Sequence, residues 1–422
     1  MSIDDPVITG IGAITPLGLS AADTWQGLIS GDSGVGPITH FDPADLPVRI
    51  AAEVKGFDPD RVLGTKRARR SARFSQLAVA AAREAVADSG PGALTDPERV
   101  GVVINSAIGG LPETQHSVQT LIDHGPRAVS AYYVPSMIPN MAACEVAIDH
   151  RLHGPVSASA LACASGNAAL LEAWRLIVGG EADVVIAGGS DASITRVMFA
   201  GLGNIGPLSE RNEEPERASR PFDADRDGFV FGEGAVAFVI ESADHARARN
   251  ARVYGAIAGG ALTSDGFHLV APEPSGEHAA RAIALALERT GTAPEEIDYV
   301  CAHGTGTRAN DLAETRAIRS ALGREADRVP VSSPKSMAGH LIAAAGALSA
   351  LACVLAMRDG ILPPTTNLER PDPECDLDHI PLTARRATVR TALVNAFGFG
   401  GHNCVLVLRA PPDGAAGRMS GS

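Results

Sequence analysis

The sequence predicts an α/β fold made of two duplicated halves, and two patterns predict it. Short β-branched runs alternate with Ala/Leu-rich stretches, as where PVITGIG is followed by RFSQLAVAAAREAVADSG and then by RVGVVINSAIGG. This alternation is typical of helices that connect mainly parallel strands. The segment PVSASALACASGNAALLEAW at Pro155 is also similar to PVSSPKSMAGHLIAAAGALSAL at Pro330, and VVIAGGSDA and LVNAFGFGG form a second pair in the same order. Two similar pairs in one order indicate an internal duplication.

Each copy of the first pair predicts a strand, a turn of small residues and a helix, with Cys163 at the first turn and His340 at the second. The 422 residues are enough for two ordinary domains with buried cores. We expect an N-terminal half of residues 1–252 and a C-terminal half of residues 253–410. The last residues, 411–422, PPDGAAGRMSGS, predict a disordered tail.

The composition excludes several classes of protein. The net charge is −13 with both signs scattered along the chain, so neither nucleic acid nor a membrane surface is predicted as a partner. The six cysteines form no CxxC pair, which argues against a disulfide framework or a zinc site and fits a reducing cytoplasm. The stretch MSIDDPVITGIG carries acid where a signal peptide carries base, so no targeting segment is expected.

Two segments imitate other functions. Residues 337–357 have the length of a membrane span and contain no Asp, Glu, Lys or Arg, but about half of them are Ala or Gly, which predicts a buried core helix. The motif DADRDG begins at Asp223 with the spacing of an EF-hand, yet Glu233 falls one residue short of the twelfth position. We therefore predict neither a membrane helix nor a metal site.

Cys163 is the strongest candidate for a nucleophile. It lies between an apolar run and the predicted helix SGNAALLEAWRLIV, and its small neighbours leave the sulfur uncrowded. A helix start lowers the pKa of a thiol and presents backbone N–H groups to an anion. The same turn is therefore expected to activate a thiolate and to hold an oxyanion.

Two histidines lie where predicted strands end. His303 follows a strand in CAHGTGTRAND, and His340 precedes the helix of the second copy, five residues after Lys335. Two histidines near one cysteine suit a reaction that stabilises an anion at a carbonyl group. Asp311 and Glu314 have the D-x-x-E spacing of a capping box, and we interpret them mainly as a helix start.

Two further motifs concern binding. GFGGHN follows a strand but lacks the spacing of a dinucleotide-binding loop, and we interpret it as a mobile glycine loop that carries Phe399. TKRARRSAR is a basic cluster in an otherwise acidic chain. It predicts either a solvated helix surface or a docking site for an acidic carrier protein. The cluster consists of Lys66, Arg67, Arg69, Arg70 and Arg73.

Together, the motifs ACASG, ASRPFDADRDGFVFGEGA, AHGTGTRAND, SSPKSMAGHLIAAAGA and NAFGFGGHN resemble those of the β-ketoacyl-acyl carrier protein synthases. These are the elongating ketosynthases of type II fatty acid and polyketide systems, and the resemblance runs over nearly the whole chain in family order. It implies a thiolase fold with five layers, α-β-α-β-α, made of two duplicated halves. It also implies an acyltransferase that binds no cofactor and uses acyl and malonyl groups on the phosphopantetheine arm of an acyl carrier protein.

The resemblance also implies roles for individual residues. Cys163 would take the acyl chain, His303 and His340 would promote decarboxylation of malonyl-carrier protein, and Lys335 would support His303. Phe399 would complete the oxyanion hole and gate access. The pantetheine arm and the acyl chain would contact Thr305, Thr307, Phe229, Gly398 and Gly400. The basic cluster would receive the carrier, and the chain would form a homodimer or a heterodimer with a chain-length factor.

Three residues depart from the family pattern. Ser349 replaces a glutamate that usually follows the second histidine on its helix, Val270 replaces a threonine that helps to hold pantetheine, and Arg308 stands where proline is commoner. These departures and the stretch NLERPDPECDLDHIPLTARR favour the catalytic ketosynthase of a polyketide system. ACASG and NAFGFGGHN favour the alternative, a homodimeric fatty acid elongation enzyme. A further alternative is a chain-length-factor-like subunit without catalytic activity, although such subunits lack the nucleophilic cysteine.

Overall fold

Residues 5–411 are described by the computed structural model, which contains fifteen strands and fourteen α-helices within that range. The strands are β1 Val7–Ile14, β2 Gly36–Pro37, β3 Ile50–Ala51, β4 Val100–Asn105, β5 Val156–Ser157, β6 Val184–Asp191, β7 Gly234–Glu241, β8 Gly255–Ser264, β9 Tyr299–Cys301, β10 Pro330–Ser332, β11 Ile361–Leu362, β12 Asp378–His379, β13 Arg385–Arg386, β14 Thr391–Gly398 and β15 His402–Arg409. The helices are α1 Ala21–Ser30, α2 Pro59–Leu63, α3 Thr65–Ala68, α4 Arg73–Ser89, α5 Leu111–His124, α6 Tyr133–Met137, α7 Met141–His150, α8 Ser165–Val178, α9 Arg196–Ile205, α10 Ala243–Ala248, α11 Glu277–Thr290, α12 Arg308–Leu322, α13 Lys335–Ala338 and α14 Ala343–Asp359.

The sheet topology repeats itself. Eleven strands follow the order β12-β10-β9-β14-β15-β8-β1-β7-β6-β4-β5. On one side, β5, β4 and β6 are parallel and β7 and β1 run antiparallel to their neighbours. On the other side, β10, β9 and β14 are parallel and β15 and β8 run antiparallel in the same way. The two sets meet where β1 pairs with β8, so the topology has the internal duplication that the sequence predicts.

Helices form three layers around the two sets of strands. α8 and α14 pack against each other in the centre, between the two sets. α4 and α7 cover the outer face of the first set, and α11 and α12 cover that of the second. The resulting α-β-α-β-α arrangement confirms the five predicted layers.

The apolar segment of residues 337–357 lies in the central layer. It is interrupted between α13 and α14, where Ile342 takes a left-handed φ of 52°, and every residue from Ala343 to Ala356 is buried. No helix among residues 5–411 is both long and apolar enough to span a bilayer. The abundance of Ala and Gly allows close approach of α8: a Cβ on Gly166 would lie 2.6 Å from the Ala343 carbonyl oxygen.

The proposed division of the chain at residues 252/253 lies between α10 and β8, and the exact boundary stays a prediction. All but the first residue of the predicted tail, 411–422, lies outside the described residues.

Candidate active site

Cys163 sits in a strained turn at the start of α8. A short 3-10 helix, Ala162–Ala164, leads directly into α8, and Ala162 has a left-handed φ of 47°. Such a conformation is unfavourable for a residue with a Cβ, and it is found where the surrounding structure fixes a functional geometry. The Leu161 amide donates to the Ser165 hydroxyl at 2.9 Å, which helps to hold the turn.

Two backbone amides face the Cys163 sulfur. The N–H groups of Phe399 and of Cys163 itself both act to lower the pKa of the thiol, as donors near the sulfur do. The approach is close because Gly398 has no side chain: a Cβ there would lie 2.7 Å from the Leu161 carbonyl oxygen and 3.1 Å from the Cys163 nitrogen. Two donors that converge beside a nucleophile have the geometry of an oxyanion hole.

Burial dominates the chemistry of the free thiol. It raises the pKa of Cys163 to about 12, although the Lys335 ammonium and the Phe399 amide act in the opposite direction. The expectation that the helix start activates a thiolate stays a prediction, and burial acts against it. Burial has this effect because the thiolate loses the stabilisation that water gives an anion.

His303 and His340 face each other across the site. Their ring centroids lie 5.4 Å apart at 80°, and both residues are almost fully buried. The Ile342 amide donates to His340 Nδ1 at 3.2 Å, so the neutral ring carries its proton on Nε2. His340 Nε2 and His303 Nδ1 are buried and have no hydrogen-bond partner among the described residues, and both rings line the cavity that contains Cys163.

Lys335 lies beneath His303. Its Nζ donates to the His303 carbonyl oxygen at 2.6 Å, and the side chain is buried. Burial first, and the Lys335 charge second, hold the pKa of each histidine well below its ordinary value. Both rings are thus neutral near pH 7, and neutral Nε2–H groups can donate hydrogen bonds to a developing oxyanion.

Asp311 and Glu314 do not form the predicted capping box. Thr307 caps α12 by accepting from the Asn310 amide, and the two acids instead accept from the loop that precedes the helix. Glu314 accepts from the His303 and Gly304 amides at 2.7 Å each. Asp311 accepts from the amides of Thr305 and Gly306, so the acids fix the loop that carries His303.

Asp191 is a site residue that sequence reasoning missed. It ends β6 and accepts from the Ser106 hydroxyl at 2.6 Å and from the Ala343 amide at 2.9 Å. Burial raises its pKa to about 6. It therefore fixes the start of α14, three residues after His340. An acid at the end of the apolar run VVIAGGSD was the available signal.

A cavity of about 650 Å³ joins most of the predicted residues. Its wall includes Cys163, His303, His340, Phe229, Thr305, Thr307, Gly398 and Phe399. Lys335 and Gly400 are not on the wall: Lys335 supports it from below, and the Gly400 amide donates to the Leu269 carbonyl oxygen at 2.9 Å. The Phe229 ring meets the His340 ring edge-on at 5.3 Å. Apolar residues such as Ile108, Met198 and Leu202 line a further part of the cavity.

The three departures lie in or near this site. Ser349 is buried on α14, where it hydrogen-bonds to the Cys301 thiol. The electrostatic partners of Lys335 include Cys301 on β9 and Glu314 on α12. Val270 and Arg308 both line the cavity.

The predicted basic cluster divides into two groups. Arg67 is bonded to Asp149 and to the Glu145 carbonyl oxygen, and Arg73 forms bonds of 2.7 and 2.8 Å with Glu233. The other members, Lys66, Arg69 and Arg70, are exposed. The acids of DADRDG are also engaged with arginines, as in the 3.1 Å contact between Asp223 and Arg220, and no group of potential metal ligands occurs within residues 5–411.

Comparison with known families adds to this geometry. Residues 4–246 match the family described as "Beta-ketoacyl synthase, N-terminal domain", and residues 254–369 match "Beta-ketoacyl synthase, C-terminal domain". A 3-oxoacyl-[acyl-carrier-protein] synthase 2 of Synechocystis sp. is 46% identical over 96% of this chain and 97% of its own length.

Two solved structures are also similar. A chain of the ishigamide ketosynthase/chain length factor has a TM-score of 0.90 and 35% identity, and covers 97% of this chain and 99% of its own length. A chain from the complex AntDE:AntF, a type II PKS acyl-carrier protein with its ketosynthase bound to the hexaketide, has a TM-score of 0.89 and 31% identity over the same shares. The fold is thus the thiolase fold of the ketosynthases.

Proposed function

Because the chain belongs to the β-ketoacyl synthase family of acyltransferases, we propose that it condenses a Cys163-bound acyl chain with malonyl-acyl carrier protein in fatty acid elongation. One observation carries this proposal: Cys163, His303 and His340 line a single cavity, with two amides at the sulfur and unpartnered nitrogens on both rings. The name 3-oxoacyl-[acyl-carrier-protein] synthase 2, borne by the Synechocystis relative, supports fatty acid elongation over the polyketide function that the sequence favoured.

The first half-reaction transfers the acyl chain. The Cys163 sulfur attacks the thioester carbonyl carbon of the acyl-carrier protein, and the oxyanion is held by the Cys163 and Phe399 amides. The bond from carbon to the carrier sulfur breaks, and the proton of Cys163 passes to the departing carrier thiol. Since burial keeps the free thiol protonated, proton loss belongs to this step rather than to the resting state.

The second half-reaction forms the new carbon–carbon bond. The bond from malonyl C2 to its carboxylate breaks, carbon dioxide leaves, and the electron pair forms a thioester enolate. Neutral His303 and His340 donate hydrogen bonds to the enolate oxygen. C2 then attacks the acyl-Cys163 carbonyl carbon, the carbon–sulfur bond breaks, and the Cys163 thiolate takes a proton from solvent. The product is a β-ketoacyl chain two carbons longer.

The remaining residues are assigned to binding. Thr305 and Thr307, whose hydroxyls lie 3.0 Å apart on the cavity wall, contact the pantetheine arm. Lys66, Arg69 and Arg70 receive the acidic carrier protein, whereas Arg67 and Arg73 maintain the shape of this surface through their own ion pairs. The six cysteines are free, which suits the reducing cytoplasm.

Dimerisation is part of the proposal. β5 is the edge strand of the sheet, and Val156 on it is 41% exposed. Ile148 is 67% exposed on α7, which packs against β5. An apolar edge of this kind is unfavourable in water unless another chain covers it, and a second copy is the partner that we assign to it.

Intact mass measurement tests the function. The purified chain and a Cys163→Ala variant are incubated with octanoyl-acyl carrier protein, and a mass gain equal to one octanoyl group is expected for the natural chain alone. Malonyl-acyl carrier protein is then added, and 3-oxodecanoyl-carrier protein is expected as the product. A natural chain that gains no mass would refute the assignment of Cys163.

A polyketide ketosynthase remains the second candidate, favoured by Arg308, Val270 and Ser349 and by the two similar solved structures. In the same experiment, this candidate predicts acylation of Cys163 but no condensation until a second, different subunit is added. Condensation by the chain alone therefore separates the two functions.

A further inference from the structure

The cavity that contains Cys163 carries one strongly basic side chain. Among the described residues on its wall, Arg308 is the single arginine or lysine. It is the first residue of α12, directly after Thr307, and it is exposed. A permanent cation therefore stands where the cavity opens to solvent, next to the two threonines.

The charge of Arg308 is not neutralised by an ion pair. No carboxylate of the described residues lies within 4.0 Å of its guanidinium, and its hydrogen bond from Nε to the Arg226 carbonyl oxygen is long, 3.5 Å. Arg226 takes the nearby acids instead, with Asp372 at 2.6 Å and Asp311 at 3.4 Å. The Arg308 charge also acts on Asp372, but Asp372 is already paired with Arg226.

The acids on the cavity wall are bonded elsewhere too. Asp265 accepts from the Asn403 side chain at 2.6 Å, and Glu273 accepts from the Ser275 amide at 3.0 Å. Asp227 lies 3.7 Å from Arg211. The guanidinium thus faces the opening without an acidic partner, and guanidinium groups in such positions bind phosphate and carboxylate groups through paired hydrogen bonds.

The inner end of the cavity indicates which anion reaches this position. His303 and His340 lie on its wall beside Cys163, so a ligand must enter far enough to meet both rings and the sulfur. The outer wall has hydroxyls on Thr305 and Thr307 and then the Arg308 cation. From the inner end outwards, the two histidines suit a thioester, the two hydroxyls suit the amides of an arm, and the cation suits a terminal phosphate.

We propose that Arg308 binds the phosphate of the phosphopantetheine arm and thereby positions the thioester at Cys163. This inference rests on the proposed function, because it requires a phosphopantetheine substrate. The family pattern has proline at this position and threonine where this chain has Val270. Val270 lacks a hydroxyl, and Arg308 lines the same cavity.

Two carrier-free substrates test the proposal: octanoyl-phosphopantetheine and octanoyl-pantetheine, which lacks the phosphate. The rate of Cys163 acylation is measured by intact mass. We expect the natural chain to use the phosphorylated substrate about tenfold faster, the low end of the effect of a charge-assisted hydrogen bond at an exposed site. In Arg308→Gln, this ratio falls to about one. In Arg308→Lys, which keeps the charge without the paired donors, it is intermediate.

Arg324→Gln is the matched control, because Arg324 is an exposed arginine and its loss changes the net charge equally. It should keep the ratio of the natural chain. An Arg308→Gln variant with an unchanged ratio would overturn the proposal. So would an effect confined to carrier-bound substrate, because Arg308 would then contact an acid of the carrier. If the natural chain is acylated neither by octanoyl-acyl carrier protein nor by the two carrier-free thioesters, the proposed function is refuted, and this inference with it.

Discussion

Gly398 lies so close to the turn that carries Cys163 that one added methyl group tests the oxyanion hole. In Gly398→Ala, the Cβ would be 2.7 Å from the Leu161 carbonyl oxygen, about 0.7 Å short of the 3.4 Å at which ordinary contact begins. Both contacting groups are backbone and cannot rotate away. Oxyanion donors act within a window of about 2.7–3.1 Å, so a shift of this size takes one amide out of range. The loss of one donor lowers the rate by about 10²-fold.

The assay is the rate at which octanoyl-acyl carrier protein acylates Cys163, followed by intact mass. Gly201→Ala is the matched control, because no atom lies within 4 Å of its added Cβ and the residue is an exposed position of α9. Its rate should equal that of the natural chain. Circular dichroism establishes that both variants are folded. If a folded Gly398→Ala variant acylates at the rate of Gly201→Ala, the assignment of the Phe399 and Cys163 amides to the oxyanion is wrong.

Three further predictions concern the charges and protons around the site. Lys335→Met removes the hydrogen bond to the His303 carbonyl oxygen and should slow carbon dioxide release from malonyl-acyl carrier protein by about tenfold or more. Lys55→Met is the control at an exposed site, and equal rates in the two variants would contradict this prediction. Because burial raises the pKa of Cys163 to about 12, alkylation of this residue by iodoacetamide should accelerate about tenfold per pH unit from pH 7 to 9. Peptide mapping measures the rate, with Cys163→Ser to assign the signal. A plateau near pH 7 would show that the thiol is already ionised. Arg226→Met leaves the buried Asp311 without its cation and should lower the free energy of unfolding in urea by about 3–5 kcal/mol. Arg324→Met should change it little, and similar losses in both variants would count against the buried pairing.

The sequence was most informative where small residues and periodicity set the backbone. The repeated pattern that begins at Pro155 and Pro330 predicts a strand and a helix in each half, and these are β5 with α8 and β10 with α14. The prediction succeeds because a nucleophile at a helix start and glycines in a tight contact are features of the local sequence. The Ala/Gly-rich segment likewise predicts a core helix, since only small side chains allow α8 and α14 to approach so closely.

Other features depend on contacts between distant residues and were not accessible in this way. The spacing of Asp311 and Glu314 is compatible with a helix cap, but Thr307 has that role, and the acids turn towards the preceding loop. Arg67 and Arg73 look like docking residues in sequence until their acidic partners, Asp149 and Glu233, are brought beside them. The raised pKa of Cys163 is also tertiary, because it depends on how much water the assembled halves exclude.

The duplicated topology explains why this site needs both halves of the chain. The strand end of each half contacts the helix start of the other. In the first half, Asp191 at the end of β6 accepts from the Ala343 amide at the start of α14. In the second half, Gly398 ends β14 and Phe399 follows it, and both meet Cys163 before α8. The two halves differ in chemistry at equivalent positions. The end of β6 supplies a carboxylate that fixes the segment after His340, and the residue after β14 supplies an amide that faces the sulfur. Neither half alone contains both a helix start and the strand end that completes it, so the nucleophile and its oxyanion donor come together only when α8 and α14 pack in the centre of the fold.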